Sequence, residues 1–244
     1  VESYIATIYN NIGEIYRMLK CYEEAIVYYN LAINIESKLN YQATFGMVLT
    51  NLGNNQYKLG DYESALRYLN EAVVILLNYN YKIGIQEAYG ILALIYEKKL
   101  KYVECEKYFL KAFEISIETD YIYFKIDLLL DFSNFLENAG RKSEAIDKLD
   151  DAYRISIENK MHAKTMEICK RTIKFYESEK DTYNANRYYK LYFENEEKLE
   201  SLELNNRVRS LKSKVQIEKL EEENRRILEN SEALRVKTED LMKS

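Results

Sequence analysis

Through residues 3–192, apolar and small side chains recur three or four positions apart, the spacing that places them on one face of an α-helix. Short polar turns interrupt the pattern, as in KLGDY (58–62) and NAGRK (138–142). The alternation predicts pairs of antiparallel helices of roughly 16–18 residues joined by tight turns. After residue 193 the pattern thins to single apolar residues in charged surroundings, which predicts one long exposed helix.

Displacing the chain by 40 residues aligns the apolar positions with one another. Ile12, Leu52, Leu92 and Phe132 form one column, followed by the small residues Gly13, Gly53, Ala93 and Ser133. Ala25, Ala65, Cys105, Ala145 and Ala185 form another, and Tyr29, Leu69, Phe109, Leu149 and Tyr189 follow four positions later. Ala32, Ala72, Ala112 and Ala152 complete the pattern. Small residues are needed where two helix axes come close, because a larger side chain would push them apart. A hairpin of this kind cannot bury its apolar face alone, so the units are expected to stack as an all-α solenoid.

The motif LGNNQY…GDYESALRYLNEA, from Leu52 to Ala72, resembles the tetratricopeptide repeat (TPR). The resemblance covers five units over roughly residues 3–192, the fifth being degenerate, so a TPR solenoid is expected over residues 1–193. Two features depart from the family: the repeat length is 40 residues and the usual closing proline is absent, since the chain contains no proline. The longer form resembles the TPR arrays of bacterial signalling and peptide-sensing proteins.

The resemblance implies a concave groove lined by the first helix of each hairpin. Carried onto this chain, the groove positions are Asn10, Asn11 and Glu14 in the first unit and Asn51 and Asn54 in the second. The third contributes Glu87, and the fourth Asp127, Asp131 and Asn134. A carboxamide both donates and accepts, so a row of asparagines suits the backbone of an extended peptide. The carboxylates favour a ligand with basic side chains or a free amine. Asparagine is abundant throughout the chain, so solvated surface asparagines are the competing explanation.

Residues 194–244 contain no aromatic residue, glycine, proline, cysteine or histidine, and form the second expected domain. Two apolar stripes occur within it. The first is Leu204, Val208, Leu211 and Val215; the second is a heptad seam over 217–241. Leu211 and Leu220 are nine residues apart, about 900° of helix rotation, so the stripes lie on opposite faces. In the seam, Ile217 and Asn224 take a positions, and Leu220, Ile227, Leu234 and Leu241 take d positions. An asparagine at a favours a parallel two-stranded coil, so a homodimer through this seam is expected. The ending LEEENRRI…EALRVKTEDLMKS resembles the connector helices that join bacterial sensor modules to diguanylate cyclase (GGDEF) or histidine kinase output domains.

Composition removes several function classes. A net charge of −5 with interspersed signs gives no basic stripe for nucleic acid. No run of about 18 apolar residues suggests a membrane span. The three cysteines, Cys21, Cys105 and Cys169, lack metal-type spacing and suit a reducing, cytoplasmic setting. His162 is the sole histidine and is expected at the surface, with no nucleophile patterned beside it. No phosphate-cradling glycine loop is present. The expected protein is therefore non-catalytic, without metal or cofactor. It is read as a peptide- or protein-binding regulatory module that dimerises by its tail and relays to a signalling output domain. A stand-alone scaffold or adaptor and a peptide-responsive transcriptional or phosphorelay regulator are the alternatives.

Overall fold

The computed structural model describes the backbone of residues 2–38 and 42–243, and the side chains of residues 4–38 and 43–226. Ten α-helices follow one another: α1 (Glu2–Met18), α2 (Tyr22–Glu36), α3 (Gln42–Leu59), α4 (Tyr62–Asn78) and α5 (Lys82–Lys98). They continue as α6 (Tyr102–Ser116), α7 (Ile122–Asn138), α8 (Lys142–Glu158), α9 (His162–Ser178) and α10 (Thr182–Lys243). The described residues contain no strand. Helices pair in sequence order as hairpins, and the architecture is a TPR-type solenoid. The chain divides into two compact units, Val1–Asn159 with four hairpins and Lys160–Ser244 with the fifth hairpin and the tail.

The 40-residue period is written into the backbone at the turns. Lys20, Gly60, Leu100, Gly140 and Lys180, one per hairpin, all adopt positive φ, between 57° and 86°. Each ends its helix with the same carbonyl capture. Cys21 N–H donates to Tyr16 O at 2.9 Å, Asp61 N–H to Gln56 O at 3.0 Å, and Lys101 N–H to Tyr96 O at 2.9 Å. Arg141 and Asp181 repeat it at 2.8 and 2.9 Å. This six-to-one bond satisfies a terminal carbonyl that would otherwise be orphaned, and it needs a left-handed residue just before the donor. Glycine supplies that conformation at 60 and 140 without steric cost. Lysine and leucine adopt it elsewhere against their preference.

Between the two helices of a hairpin, the small columns let the axes approach. Ala25, Ala65, Cys105 and Ala145 are fully buried, as are Ala32, Ala72, Ala112 and Ala152. A methyl group added at Gly53 would lie 2.7 Å from Leu69 Cγ, and one at Gly13 2.8 Å from the Tyr29 ring. Cys105 thus occupies its column as a small packing residue. In the first unit α1 touches α3, α3 touches α5 and α5 touches α7, so the first helices of the hairpins form a continuous row.

The aromatics divide their work in a way the columns do not reveal. Phe109 and Phe132 join two successive hairpins, with ring centroids 4.8 Å apart. The tyrosines, by contrast, stack inside a hairpin. Tyr16 and Tyr28 are parallel at 5.2 Å, and 80 residues later Tyr96 and Tyr108 repeat the arrangement at 5.3 Å. The first and third hairpins therefore share a detail that the second lacks.

In the second unit the fifth hairpin departs from its column. Ala185 is buried as expected, but Tyr189 is 40% exposed and Tyr188 takes the inner position. Burial on α10 falls at Ala185, Tyr188 and Asn195, whereas α2 buries Ala25, Tyr29, Ala32 and Glu36. The spacing has changed from four, three, four to three and seven, so the inward stripe leans the other way round the helix. The same helix continues without interruption into the tail, and every residue from 201 to 226 is exposed.

Candidate functional site

The inner row of α1, α3, α5 and α7 positions the groove candidates of the first unit. Asn10, Asn51 and Asn54 are half-buried there, while Asn11 and Asn134 are exposed. The Asn51 carboxamide donates to Asn10 Oδ1 at 2.9 Å, tying α3 to α1. Asn11, which shares a sequence column with Asn51, is not the one it pairs with. Other positions on the same helices are packing residues: Thr50 is buried and donates to Gly46 O at 2.9 Å, and Leu130 and Gly90 are also buried.

Charge gathers on the same face. Glu14 accepts from Arg17 Nε at 3.0 Å and from the Tyr29 hydroxyl at 3.1 Å, and it also bonds Arg17 Nη2. Tyr29 comes from α2, so the carboxylate is held by its own hairpin. Glu87, on α5, feels Glu14 and Arg17 across the intervening α3. Burial, reinforced by the negative charge of Glu14 and only partly relieved by Arg17, pushes its carboxyl up to about 7. Three hairpins thus bring α1 and α5 into electrostatic contact.

Two tyrosines belong to this face that the groove columns omit. Burial, then the fields of Asp131 and Glu97, push Tyr57 up to about 12. Tyr121, the residue that precedes α7, is raised by burial and then by Glu87, Asp127 and Glu14. Glu97 accepts from the Asn138 carboxamide at 3.0 Å, a link from α5 to α7. Glu14, Glu87, Glu97, Asp127 and Asp131 therefore share one field, with Arg17 as a cation already paired inside it. A tyrosine outside the expected groove columns carries no mark in the sequence, because 24 tyrosines crowd the chain.

In the second unit the corresponding positions pair among themselves. Glu167 accepts from Lys164 at 2.8 Å and from Arg171 at 3.4 Å, and Lys170 lies 5.2 Å over the Tyr192 ring. His162 differs from its expected surface setting: it is half-buried, with Nδ1 2.9 Å from Asn195 Oδ1. The Asn195 carboxamide nitrogen already donates to Leu191 O at 2.8 Å, so its oxygen faces the ring and the histidine donates. The buried thiols of Cys105 and Cys169 are pushed up to about 12 and about 11 by burial, which disfavours the nucleophilic thiolate. Among the described residues, no group of three or more His, Cys, Asp or Glu is placed to hold a metal ion. Nor is any helix there long and apolar enough to cross a membrane.

On the tail, Ile217 and Leu220 are 56% and 53% exposed, and Asn224 is exposed with them. The side chains of Ile227, Leu234 and Leu241 lie outside the described residues. The first stripe, Leu204, Val208, Leu211 and Val215, is also exposed along its length.

The family described as tetratricopeptide repeat matches residues 4–77. A comparison with curated proteins finds no match. Among solved structures, BtubC from P. vanneervenii superposes with a TM-score of 0.69 at 13% identity, over 82% of each chain. Aspartyl phosphate phosphatase F from Bacillus subtilis gives 0.60 at 12% identity, over 80% of this chain and 61% of that one. The Rap conjugation gene regulator of plasmid pLS20, solved in complex with a peptide, gives 0.62 at 16% identity, over 83% and 65%. The chain thus spans less than two thirds of the phosphatase and of the Rap regulator. At these identities the likeness establishes the fold.

Proposed function

We propose that this chain is a non-catalytic peptide- or protein-binding module whose ligand lies along the inner row of α1, α3, α5 and α7 and carries basic side chains or a free amine. The observation that carries this reading is Glu87. A carboxyl held near 7 by burial and by Glu14, on a face also bearing Asp127 and Asp131, is stabilised in its charged form by an arriving cation. Asn11, Asn54 and Asn134 supply carboxamides along the same row for a ligand backbone. A structural neighbour solved with a peptide, the Rap regulator, supports the class of ligand.

Binding of a cation there releases a proton from Glu87, so affinity rises as pH increases through about 7. Calorimetry with a short Lys/Ala peptide against a Glu/Ala control tests the reading. Preference for the basic peptide, lost by roughly tenfold in Glu87→Gln, is expected. Equal or absent binding of both peptides at every pH would refute it.

The tail completes the reading. It pairs two chains in parallel through Ile217, Leu220, Asn224, Ile227, Leu234 and Leu241, and relays ligand state to an output domain such as a cyclase. Light scattering of the Ile217→Glu/Leu220→Glu variant should show loss of dimer mass, and an unchanged mass would mean the seam is not the interface.

A further inference from the structure

The outer face of α6 breaks the repeat pattern in a way that neither the groove nor the tail explains. In the column holding Glu23, Glu63 and Ser143, the third unit holds Val103. Where the others hold Asn30, Asn70 and Asp150, it holds Leu110. Both apolar residues face solvent, at 81% and 56% exposure, and Ile117 continues the line at 79%. Ile117 caps α6 with helical dihedrals, so the three residues, seven apart, form a straight stripe. The Ile117 column also holds Leu77 and Ile157, so Val103 and Leu110 are what set this unit apart. Together with Ile117 they make a continuous apolar stripe that calls for a cover.

We propose that the α6 stripe is a contact surface for a second copy of this chain, with the two α6 helices antiparallel about a two-fold axis at Leu110. The spacing is self-complementary about that residue. Leu110 meets its own copy, and Val103 and Ile117, each seven residues away, meet one another. On one edge of the stripe Lys107 lies three residues before the axis and Glu114 four residues after it. At 1.5 Å per residue, Lys107 of one copy and Glu114 of the other come level within about 1.5 Å along the helix. The two-fold axis forms this ion pair twice. On the other edge the anion is Glu106, which is already held by Arg141 Nη1 with both oxygens at 2.8 Å, so it does not repel its mate.

A parallel pairing would lose this match, because the edge bearing Lys107 and Glu114 would then face the opposite edge of the other helix, where Glu106 is already held by Arg141. A foreign helix would have to reproduce both the seven-residue apolar spacing and the reversed charge order, which the chain itself already carries. Three apolar side chains per copy bury less than the roughly 1,200 Å² typical of stable complexes, so the contact is a weak, concentration-dependent one.

The test uses the full chain carrying Ile217→Glu/Leu220→Glu, so that the tail seam does not contribute mass. Light scattering from about 10 μM to about 1 mM should show a monomer–dimer equilibrium. Leu110→Glu should abolish it. Lys107→Glu alone should weaken it about tenfold by setting Glu against Glu114. The double reversal Lys107→Glu/Glu114→Lys should restore it. All three positions are solvent-facing, so unchanged circular dichroism will confirm intact folds. A chain that stays monomeric at 1 mM, a dimer indifferent to Leu110→Glu, or a double reversal that fails to restore association would each overturn the proposal. None of these results depends on whether the tail seam is the principal dimer interface.

Discussion

Helix α5 and the distal part of α10 are built from the same backbone geometry and do opposite things. Of its 17 residues α5 buries ten, touching helices on three sides; from 201 to 226 α10 buries none. Leucines occur in both, so hydrophobicity alone does not decide the outcome. The difference lies in the small residues: α5 carries Gly84, Ala88, Gly90 and Ala93, whereas residues 201–226 contain neither glycine nor alanine. A helix that must be enclosed needs places where neighbouring axes can approach, and a helix exposed on all sides does not.

The sharpest way to break that comparison is to truncate one apolar side chain in the packed repeats and one in the exposed tail. Phe109→Ala empties a fully buried site against Phe132 and Phe135 and should cost about 3–5 kcal/mol in urea unfolding. Leu211→Ala should leave the unfolding midpoint unchanged, since its side chain is 58% exposed. Overfilling is next in size. Gly53→Ala forces a methyl group to 2.7 Å from Leu69 Cγ, in a pair of axes that cannot separate without disturbing Ala65, and should cost about 1–3 kcal/mol. At the exposed turn Gly60, where nothing lies within 4 Å, the same substitution meets no clash and costs only the left-handed backbone strain.

Glu87 gives a comparison in pH. Its folded value near 7 lies above the ordinary 4.5, so the protonated form is the one the fold favours. That contribution is complete below about 4.5 and is lost as pH rises through 7. Glu87→Gln should therefore flatten the pH profile of the melting temperature and stabilise the chain at pH 8 by about 1–2 kcal/mol. A profile unchanged by the substitution would mean that Glu87 is solvated. The smallest effect is expected at the turns. Leu100→Gly relieves a left-handed leucine at φ 57° and should stabilise by about 0.5–1 kcal/mol, whereas Gly140→Leu should reverse the sign.

The fold was legible in the sequence because its determinants are local and periodic. Ala65, Cys105 and Ala145 declare one buried column by their spacing, since a small residue every 40 positions has one physical use in stacked hairpins. The left-handed turns were legible only at Gly60 and Gly140; Lys20, Leu100 and Lys180 adopt the same conformation with side chains that do not advertise it. The fifth hairpin misled because Tyr188 and Tyr189 are identical neighbours, and only packing decides which of them turns inward. The candidate site was legible column by column but not in its couplings. Asn51 and Asn10 pair across two helices, and Glu87 senses Glu14 from two hairpins away. Both depend on how far the row bends, and no single repeat contains that information.

The distribution of the aromatic rings has a practical consequence. The chain has 24 tyrosines and no tryptophan, and the last aromatic residue is Phe193. Its near-ultraviolet absorption and intrinsic emission therefore originate wholly before residue 194, with the stacked pairs Tyr16–Tyr28 and Tyr96–Tyr108 among the emitters. Tyr57 and Tyr121 place two chromophores beside the carboxylates of the inner row. The helix beyond residue 193 is optically dark at those wavelengths. One untouched sample thus yields two signals: tyrosine spectra for the repeats alone, and total ellipticity at 222 nm for repeats and tail together.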